Sequence, residues 1–554
     1  MSEAPEQSGY GGLKKTYNNN FDDIGRPAEI VQNYPGASYG KVTTIPTYTD
    51  AGVVTYQNID VAGPEGVAMQ YRFDFDHIIR PEQTTLTIGG KTRVLSRLRY
   101  NGLDQVQTKF LGGTLTPNQF LQKVDYLYDA AGKLTHINTP AEAECFEGQS
   151  FCRMTLGLST FNSPFQICKV ANGVLVGEQT YSFPTSVQLD QPNAEVLLQT
   201  YLTAALDENG FLGEVSYDSV THTIIVTNTN TSGITLIICD QSGPTFNVEE
   251  CCEAGILVPP LETNIPMTQN EDLYYQKNTY TGLDITRIEL ASDCISGLFR
   301  NDYIYDADHR VTQMNNKIFK HPEIITGRYN TTYTYDTVGN INTLTRNGLK
   351  SVTDSIPNYG QIDDLNYSYL GNTSRLGSVS DTSGVSKGFV PQSSTFDYDN
   401  NGNVISDTGK GIELIQYNLL NLPRQIAISG EAIEHDYTFE GEKIKKKTTG
   451  PDGEVRVYLG GVEYVDGVAE AYHHGDGRVV LNNGTRFQFK IADHLGNTVV
   501  LFEDKDGDDV INSTATDPEI AEVLQRNLYY PFGLGLEGEW ADETAPEMKY
   551  LYNG

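Results

Sequence analysis

Aromatic and polar residues alternate with a period of two in many short stretches of this chain. In YLYDAAGKL, residues 126–134, two tyrosines flank a leucine, an aspartate follows, and a glycine comes three residues after the aspartate. Side chains alternate between the two faces of a β-strand, so both rings are expected on one face. The aspartate can bond the backbone of the next turn, and the glycine can take the positive φ of a type I turn with a bulge. The stretch therefore predicts one β-hairpin.

The same hairpin pattern recurs along the chain at irregular intervals. Tyrosine suits a sheet with one wet face, because its ring is apolar and its hydroxyl can reach water or a carbonyl. The chain has 34 tyrosines and one tryptophan, which fits that use. The recurring pattern predicts repetitive antiparallel β-structure. A propeller or a fibrous stalk could use the same turns, although such repeats usually keep a stricter period. The clear copies are YIYDADHRV (303–311), YTYDTVGNI (333–341) and FDYDNNGNV (396–404), and looser copies span 20–30, 73–81 and 437–444.

The hairpin pattern lapses between about residues 142 and 265. Within this stretch, NAEVLLQTYLTAALDENG (193–210) has apolar residues at helical spacing and ends in glycine, which predicts an amphipathic helix. The residues after it alternate as strands rich in threonine, valine and isoleucine. We therefore predict a small α+β insert between hairpins, displayed on an outer surface where insertions are tolerated. A passive insertion or lid is favoured over a binding role.

The cysteines cluster in the predicted insert. Zinc and redox sites commonly use Cys-x-x-Cys spacing, which is absent here. Clustering without that spacing favours disulfides in an oxidising compartment, with buried free thiols as the alternative. We expect at least two disulfides among the cysteines between 145 and 252. The cysteines are Cys145, Cys152, Cys168, Cys239, Cys251, Cys252 and, apart from the cluster, Cys294.

Net charge narrows the class of partner. The 554 residues include 39 basic and 72 acidic side chains, for a formal charge of −33. Such a charge repels phosphate backbones and argues against nucleic acid or an anionic membrane as the partner. No window approaches the roughly 18 consecutive apolar residues of a membrane span, and the first residues lack an apolar signal core. With the cysteines, this favours a secreted or cell-surface protein whose export signal lies outside this sequence.

The repeated Tyr-x-Tyr-Asp-x-x-Gly units resemble the YD repeats of Rhs and teneurin-like proteins. The C-terminal part is similar, in the order and spacing of its motifs, to the Rhs-associated core of proteins from Bacteroidota. The resemblance covers residues 266–554 well and 10–140 loosely. The motifs are YLGGVEYVDGVAEAYHHGDGRVV (458–480), ADHLGNTVVLFEDKDGD (492–508), NLYYPFGLGLEGEW (527–540) and YLYNG (550–554).

The resemblance implies a mainly β fold, in which antiparallel hairpins wind into a hollow spiral shell like those of toxin complexes. In many relatives this shell encloses a C-terminal toxin, and in others it forms surface or secreted assemblies. Relatives continue after the YNG motif into a self-cleaving centre and a variable cargo, and this sequence ends at Gly554 before either. The expected segments are a YD-repeat shell segment (1–141), the insert (142–265), a second YD-repeat shell segment (266–457) and an Rhs-associated core segment (458–554).

The expected function is that of a secreted structural shell that encloses or presents a C-terminal effector lying outside this chain. The protein is not expected to be an enzyme. Its expected partners are that effector or neighbouring shell subunits, and a target-cell surface. The alternative is a building block of an oligomeric cell-surface adhesin or appendage. A second alternative is an enzyme such as a glycosidase, which would need two carboxylates about 5–9.5 Å apart in a cleft. The 72 acidic side chains leave this alternative open, and an activity panel would test it. Because exposed sheet edges are normally covered, we expect the sheet to continue beyond this chain or to be capped by other subunits.

One acidic stretch is a candidate cation site. In DKDGDD, residues 504–509, three aspartates stand at alternate positions, as in a calcium loop with oxygen ligands. An EF-hand has glycine at its sixth position and glutamate at its twelfth, where this chain has Asp509 and Ala515. A plain acidic turn is therefore favoured, and weak calcium binding is the alternative. The candidate ligands are Asp504, Asp506 and Asp508; no other cofactor is predicted.

Two histidine motifs have structural interpretations. His473 and His474 are adjacent on a predicted strand, so their side chains point to opposite faces and cannot jointly hold one metal without a bend. The stretch DHLGN, Asp493–Asn497, pairs an acid with a histidine, but no serine or cysteine nucleophile stands beside it in a recognisable setting. We predict that it forms a turn.

Overall fold

The computed structural model gives the backbone and side chains for most of the chain outside the insert. Between residues 150 and 251 it describes the backbone of the strands alone. The remaining described residues are 15–34, 40–115, 119–138, 273–291, 298–320, 323–390, 393–512, 520–538, 548–549 and 551–552.

The strands before the insert are β1 (Lys15–Phe21), β2 (Pro27–Asn33), β3 (Lys41–Tyr48), β4 (Val54–Ala62), β5 (Val67–Phe75), β6 (Pro81–Ile88), β7 (Lys91–Tyr100), β8 (Val106–Gly113), β9 (Phe120–Tyr128) and β10 (Leu134–Ile137). Those of the insert are β11 (Ser150–Leu156), β12 (Thr160–Phe161), β13 (Phe165–Ala171), β14 (Val174–Tyr181), β15 (Val187–Gln188), β16 (Gly213–Asp218), β17 (Thr223–Asn228), β18 (Ile234–Cys239) and β19 (Phe246–Cys251).

The strands after the insert are β20 (Tyr275–Thr281), β21 (Asp284–Ala291), β22 (Leu298–Tyr305), β23 (Val311–Lys320), β24 (Glu323–Thr326), β25 (Thr331–Tyr335), β26 (Ile341–Thr353), β27 (Ile356–Tyr369), β28 (Leu376–Asp381), β29 (Ser393–Tyr398) and β30 (Val404–Asp407). They continue as β31 (Ile412–Tyr417), β32 (Pro423–Ile428), β33 (Glu431–Tyr437), β34 (Lys443–Thr448), β35 (Val455–Leu459), β36 (Val462–Val465), β37 (Val468–His474), β38 (Gly477–Val480), β39 (Arg486–Ala492), β40 (Thr498–Phe502) and β41 (Val523–Arg526), followed by a 3-10 turn at Pro531–Gly533.

Outside the insert, the described strands form one sheet of 32 strands. Nearly every strand pairs antiparallel with the strand that follows it in the chain. There are two variations: β23 pairs with both β24 and β25, and β10 pairs directly with β20 across the insert, His136 lying opposite Lys277. The predicted mainly β fold of repetitive antiparallel hairpins is confirmed.

Residues 140–264 form a compact unit separate from the rest of the chain. Their described strands make three small antiparallel sheets: β16-β17-β11-β19, β14-β13-β18 and the pair β12-β15. The helix predicted at 193–210 lies outside the described residues, so the helical part of the α+β prediction stays a prediction.

We expect a disulfide between Cys152 and Cys251. These residues are direct Cα partners on the antiparallel strands β11 and β19. Directly opposed antiparallel residues have Cα atoms about 4.5–5.5 Å apart, within the disulfide range of about 4.4–6.8 Å. Non-reducing peptide mapping of the native protein should find this pair and at least one further disulfide between residues 145 and 252. Free alkylation of all these cysteines without reduction would contradict the prediction.

The turn after β9 is built as its sequence predicts. In the turn after β9, Asp129 Oδ1 accepts hydrogen bonds of 2.9 Å from the backbone N–H groups of Ala131 and Lys133. Gly132 has φ +81°, the left-handed conformation that the bulge requires. Asp306 accepts the same two backbone hydrogen bonds, but His309 and not a glycine takes the left-handed conformation there, with φ +61°. The pKa of Asp306 is lowered because its carboxylate accepts the backbone N–H of Arg310. Each motif thus encodes its own turn within five residues.

The second tyrosine of the motif joins neighbouring hairpins. Its hydroxyl donates to a backbone carbonyl at the start of the last strand of the preceding hairpin, over 2.6–3.0 Å. At one such contact, Tyr335 donates to Val311 O, and the Arg310 guanidinium lies 4.8 Å from the Tyr335 ring centroid. We call this row of contacts the tyrosine ladder; its members are Tyr48, Tyr100, Tyr128, Tyr305, Tyr335, Tyr369, Tyr398, Tyr417 and Tyr437.

Replacing Tyr335 by phenylalanine is expected to destabilise β23 and β25 locally by about 1 kcal/mol, because the substitution removes one hydrogen bond and keeps the ring. Amides of these strands should then exchange with deuterium about fivefold faster. Tyr56→Phe is the control, since the Tyr56 hydroxyl has no hydrogen-bond partner among the described residues and the side chain is exposed. Equal exchange in both variants would show that the ladder contributes nothing to stability.

The two ends of the sheet pack face to face. The first arm (residues 27–128, β2–β9) contacts the last arm (residues 443–502, β34–β40). Tyr71 and Tyr472 share a hydroxyl–hydroxyl hydrogen bond of 2.8 Å, and Tyr464 donates to Glu65 O over 3.1 Å. The largest core side chains from the two arms are fully buried, among them Leu86, Phe120, Tyr464, Phe489 and Phe502.

Candidate functional site

The non-strand stretch after β41 lies against the sheet through tyrosine contacts. In this C-terminal segment (residues 527–538), the Tyr530 hydroxyl donates to Asn347 O over 2.6 Å and the Tyr529 hydroxyl donates to Thr498 O over 2.6 Å. From the turn between β24 and β25, Tyr329 donates to Glu537 O over 2.9 Å. The segment is thus hydrogen-bonded both to the region of β25–β27 and to β40.

A buried ion pair of the sheet lies against Tyr530 of the C-terminal segment. Arg346 Nη1 lies 2.5 Å from Asp363 Oδ2, and the Asp363 side chain is fully buried. The Arg346 guanidinium also lies 5.0 Å from the ring centroid of Tyr530. Burial raises the pKa of Asp363 even though Phe389 N–H and Arg346 both donate to it. The aspartate therefore depends on these donors to stay ionised inside the protein.

Beside the C-terminal segment is a cleft of about 260 Å³, bounded also by β20–β22 and by the turn Asp493–Asn497. His494 Nδ1 lies 2.7 Å from Gln276 Nε2, which donates to it. Burial lowers the pKa of His494, so its imidazole is neutral at neutral pH. The other polar side chains of the cleft are mostly tyrosines and amides: Tyr274, Asn301, Tyr303, Tyr529 and Tyr552.

The turn predicted at Asp493–Asn497 is present. Asp493 Oδ1 accepts from the N–H groups of Leu495 and Asn497. The contact of His494 with Gln276 was not anticipated from the sequence. A signal was available: the position after the turn aspartate is alanine, threonine or asparagine in the clear copies of the motif, whereas this turn has histidine there, as does the looser copy at 73–81.

The three predicted calcium ligands do come together. One carboxylate oxygen from each of Asp504, Asp506 and Asp508 lies within 4.8 Å of the others. However, Asp504 Oδ2 already pairs with Arg93 of the first arm at 3.0 Å, and Asp504 Oδ1 accepts from Gly507 N–H. The described residues thus supply a cation and backbone donors to the loop, and calcium binding stays a prediction.

We expect millimolar calcium to change the melting temperature by less than about 2 °C. Calcium binding should be weak, because Arg93 already compensates the charge of Asp504 and opposes a second positive charge. A ligand present at a concentration near its dissociation constant stabilises a protein by well under 1 kcal/mol. Thermal melts with calcium or with chelator test this, with Asp506→Ala as the matched variant. A large calcium-dependent rise that Asp506→Ala abolishes would establish a calcium site.

The adjacent histidines contact different partners, as expected for neighbouring strand residues. His473 Nε2 lies 3.1 Å from Glu463 Oε2, whereas the His474 ring packs against Phe489 with 6.2 Å between centroids. Glu463 also accepts a hydrogen bond from Arg456. Burial works to raise the pKa of Glu463, but the bonds from His473 and Arg456 outweigh it and lower that pKa to about 2.

No described part of the chain forms a helix of the length and apolar character needed to cross a membrane.

Comparisons with known proteins give matches among solved structures alone. No family model matches the chain, and no curated protein matches it. Similar structures include TcdB2-TccC3-TEV (TM-score 0.32, 11% identity) and TcdB2-TccC3 (TM-score 0.31, 12% identity). TcdB2-TccC3 without its hypervariable C-terminal region gives a TM-score of 0.31 and 11% identity. In each case the match covers 93% of this chain but only 24–25% of the other, so this chain spans about a quarter of their length.

Proposed function

We propose that this chain is part of a secreted structural shell that encloses or presents a polypeptide effector attached beyond Gly554. The observation that supports the proposal best is the docking of the C-terminal segment. The sheet holds this non-strand polypeptide through Tyr530, Tyr329 and the buried Arg346–Asp363 pair. In this function the protein works by holding a polypeptide and not by chemical catalysis.

The chemistry of the docking contacts suits such a role. Tyr329 donates to a backbone carbonyl of the segment, and Tyr530 of the segment donates to a backbone carbonyl of the sheet. Backbone carbonyls are present in every polypeptide, so contacts of this type make few demands on the sequence being held. The neighbouring cleft, with its tyrosine and amide side chains, extends the same type of surface. The proposed hollow spiral would place that surface around an effector, with neighbouring subunits completing the shell.

A protease-protection experiment tests the proposal. An unstructured reporter peptide with one protease site is fused after Gly554, and the same peptide is fused before Met1 as the matched control. We expect the C-terminal reporter to be cleaved at least several-fold more slowly than the N-terminal one. Asp363→Asn should shorten that protection by loosening the C-terminal segment. Equal cleavage of the two reporters would contradict enclosure.

One observation favours the alternative of an adhesin or appendage subunit. All seven residues of β1 are exposed, and β1 pairs only with β2 among the described strands. An exposed edge strand can pair with another chain. Electron microscopy and sedimentation of the purified chain at several concentrations discriminate the two functions. Fibres or growing oligomers would favour the adhesin or appendage, whereas a protected reporter on a monodisperse particle would favour the shell.

A further inference from the structure

A second cavity, of about 260 Å³, lies beside β36–β39 in the last arm. It is separate from the residues that bind Tyr530 and from the predicted calcium loop. Its lining brings together Lys490, both adjacent histidines and Glu463, and it also includes Met548. Which of these groups already have a hydrogen-bond or ion-pair partner determines what kind of ligand the cavity can bind.

Lys490 is the first group whose contacts are incomplete. Among the described residues its ammonium group has no ion pair and no hydrogen bond. Asp476, the nearby carboxylate, forms a salt bridge with Lys109 of the first arm. Burial lowers the pKa of Lys490, Asp476 opposes this effect and Lys109 adds to it. The lysine therefore has a charge that the surrounding protein compensates poorly.

His474 is the second such group. Its Nδ1 accepts the backbone N–H of Asp476 over 3.3 Å. A neutral imidazole has one N–H, so the proton is on Nε2. Burial lowers the pKa of His474 to about 4, which keeps the ring neutral at pH 7. Nε2 is buried and has no hydrogen-bond partner in the part of the chain that the structure describes. A buried donor without an acceptor is unfavourable and uncommon in folded proteins.

The remaining groups at the cavity do not supply the missing acceptor. Glu463 uses Oε1 to accept from Arg456 Nη1 over 2.5 Å, and its Oε2 lies 3.1 Å from His473 Nε2. Arg456 in turn also binds Glu454 and Glu470. As far as the described residues go, the cavity therefore presents one ammonium group with no ion pair and one N–H donor without an acceptor.

We propose that this cavity binds a small oxyanion, a carboxylate or a phosphate, between the ammonium group of Lys490 and the Nε2–H of His474. One negatively charged oxygen group would satisfy both groups, since charge-assisted hydrogen bonds to oxyanions are among the stronger hydrogen bonds in proteins. The volume is sufficient for an anion of a few non-hydrogen atoms with one or two waters. This site is independent of the proposed shell function.

Isothermal titration calorimetry at pH 7 and low ionic strength tests the proposal on the full chain. Sodium phosphate and sodium acetate are the probes, and acetamide is the neutral match for acetate. We expect saturable binding of at least one anion at one site per chain and none of acetamide. The tighter of the two anions identifies the chemistry as phosphate or carboxylate.

Variants separate this site from adventitious anion binding. Lys490→Met keeps the length and apolar stem of the side chain, and should weaken the anion at least tenfold. His474→Phe should weaken it less, since it removes one neutral donor. Lys91→Met, at an exposed position, should bind as the unmodified chain does. Melting curves establish that each variant is folded. No saturable binding, or binding that Lys490→Met leaves unchanged, would overturn the proposal.

Discussion

Replacing Asp363 by asparagine is expected to lower the free energy of unfolding by about 3–5 kcal/mol, because it leaves Arg346 buried without a counter-charge. Asparagine keeps an oxygen for Phe389 N–H, so the effect reports mainly on the lost charge. Urea denaturation should give a lower midpoint, and amides of residues 528–538 should lose protection from deuterium exchange. The second readout is needed because a chain of this size need not unfold in one step.

Two further variants make the Asp363 result specific. Asp308→Asn removes the carboxylate that pairs with Arg310 at 3.1 Å, but that side chain is 72% exposed, so a change below about 0.5 kcal/mol is expected. Removing both partners as Arg346→Met with Asp363→Leu should recover part of the lost stability, since no unpaired charge is then buried. A cost below about 1 kcal/mol for Asp363→Asn would show that water reaches Arg346.

Replacing Phe489 by alanine is expected to cost about 3–5 kcal/mol, the usual range for deleting a buried aromatic ring. Phe489 is completely buried, its ring lies 5.9 Å from that of Phe502, and it reaches β8 of the first arm. At Gly112 of β8, an added Cβ would lie only 2.9 Å from the Phe489 ring. The ring thus packs directly on the backbone of the opposite arm.

The cavity left by Phe489→Ala should loosen the contact between the two arms. Limited proteolysis should then cut the first arm sooner, and the urea midpoint should fall. Leu495→Ala is the matched control, because Leu495 is 63% exposed and its truncation should change stability by less than about 0.5 kcal/mol. If the two variants unfold alike, the face-to-face packing of the arms does not contribute to stability.

The hairpins could be predicted from the sequence because their determinants are local. Asp129 and Gly132 define a turn within five residues, and the tyrosines before them define a face. The tyrosine hydroxyl could be assigned to water or to a carbonyl, but the choice between them could not be made. It depends on how one hairpin is staggered against the next, and the irregular spacing of the motifs hides that stagger.

The ion pairs could not be predicted, because their partners are far apart in the sequence. Asp504 meets Arg93 across 411 residues of sequence, and 72 acidic side chains offer many equivalent candidates. The sequence identified the cluster of aspartates and missed the arginine that changes its electrostatics. Arg346 and Asp363 were missed likewise, since nothing in their local sequence marks burial under Tyr530.

The direct pairing of β10 with β20 has a consequence for how this protein can vary. His136 and Ile137 hydrogen-bond into the strand that begins at Tyr275 as if residues 140–264 were a short loop. The pairing register of β10 with β20 in the large sheet therefore does not depend on the insert. Another small domain whose two ends lie close together could therefore replace residues 140–264. The hairpins on both sides would keep their alignment.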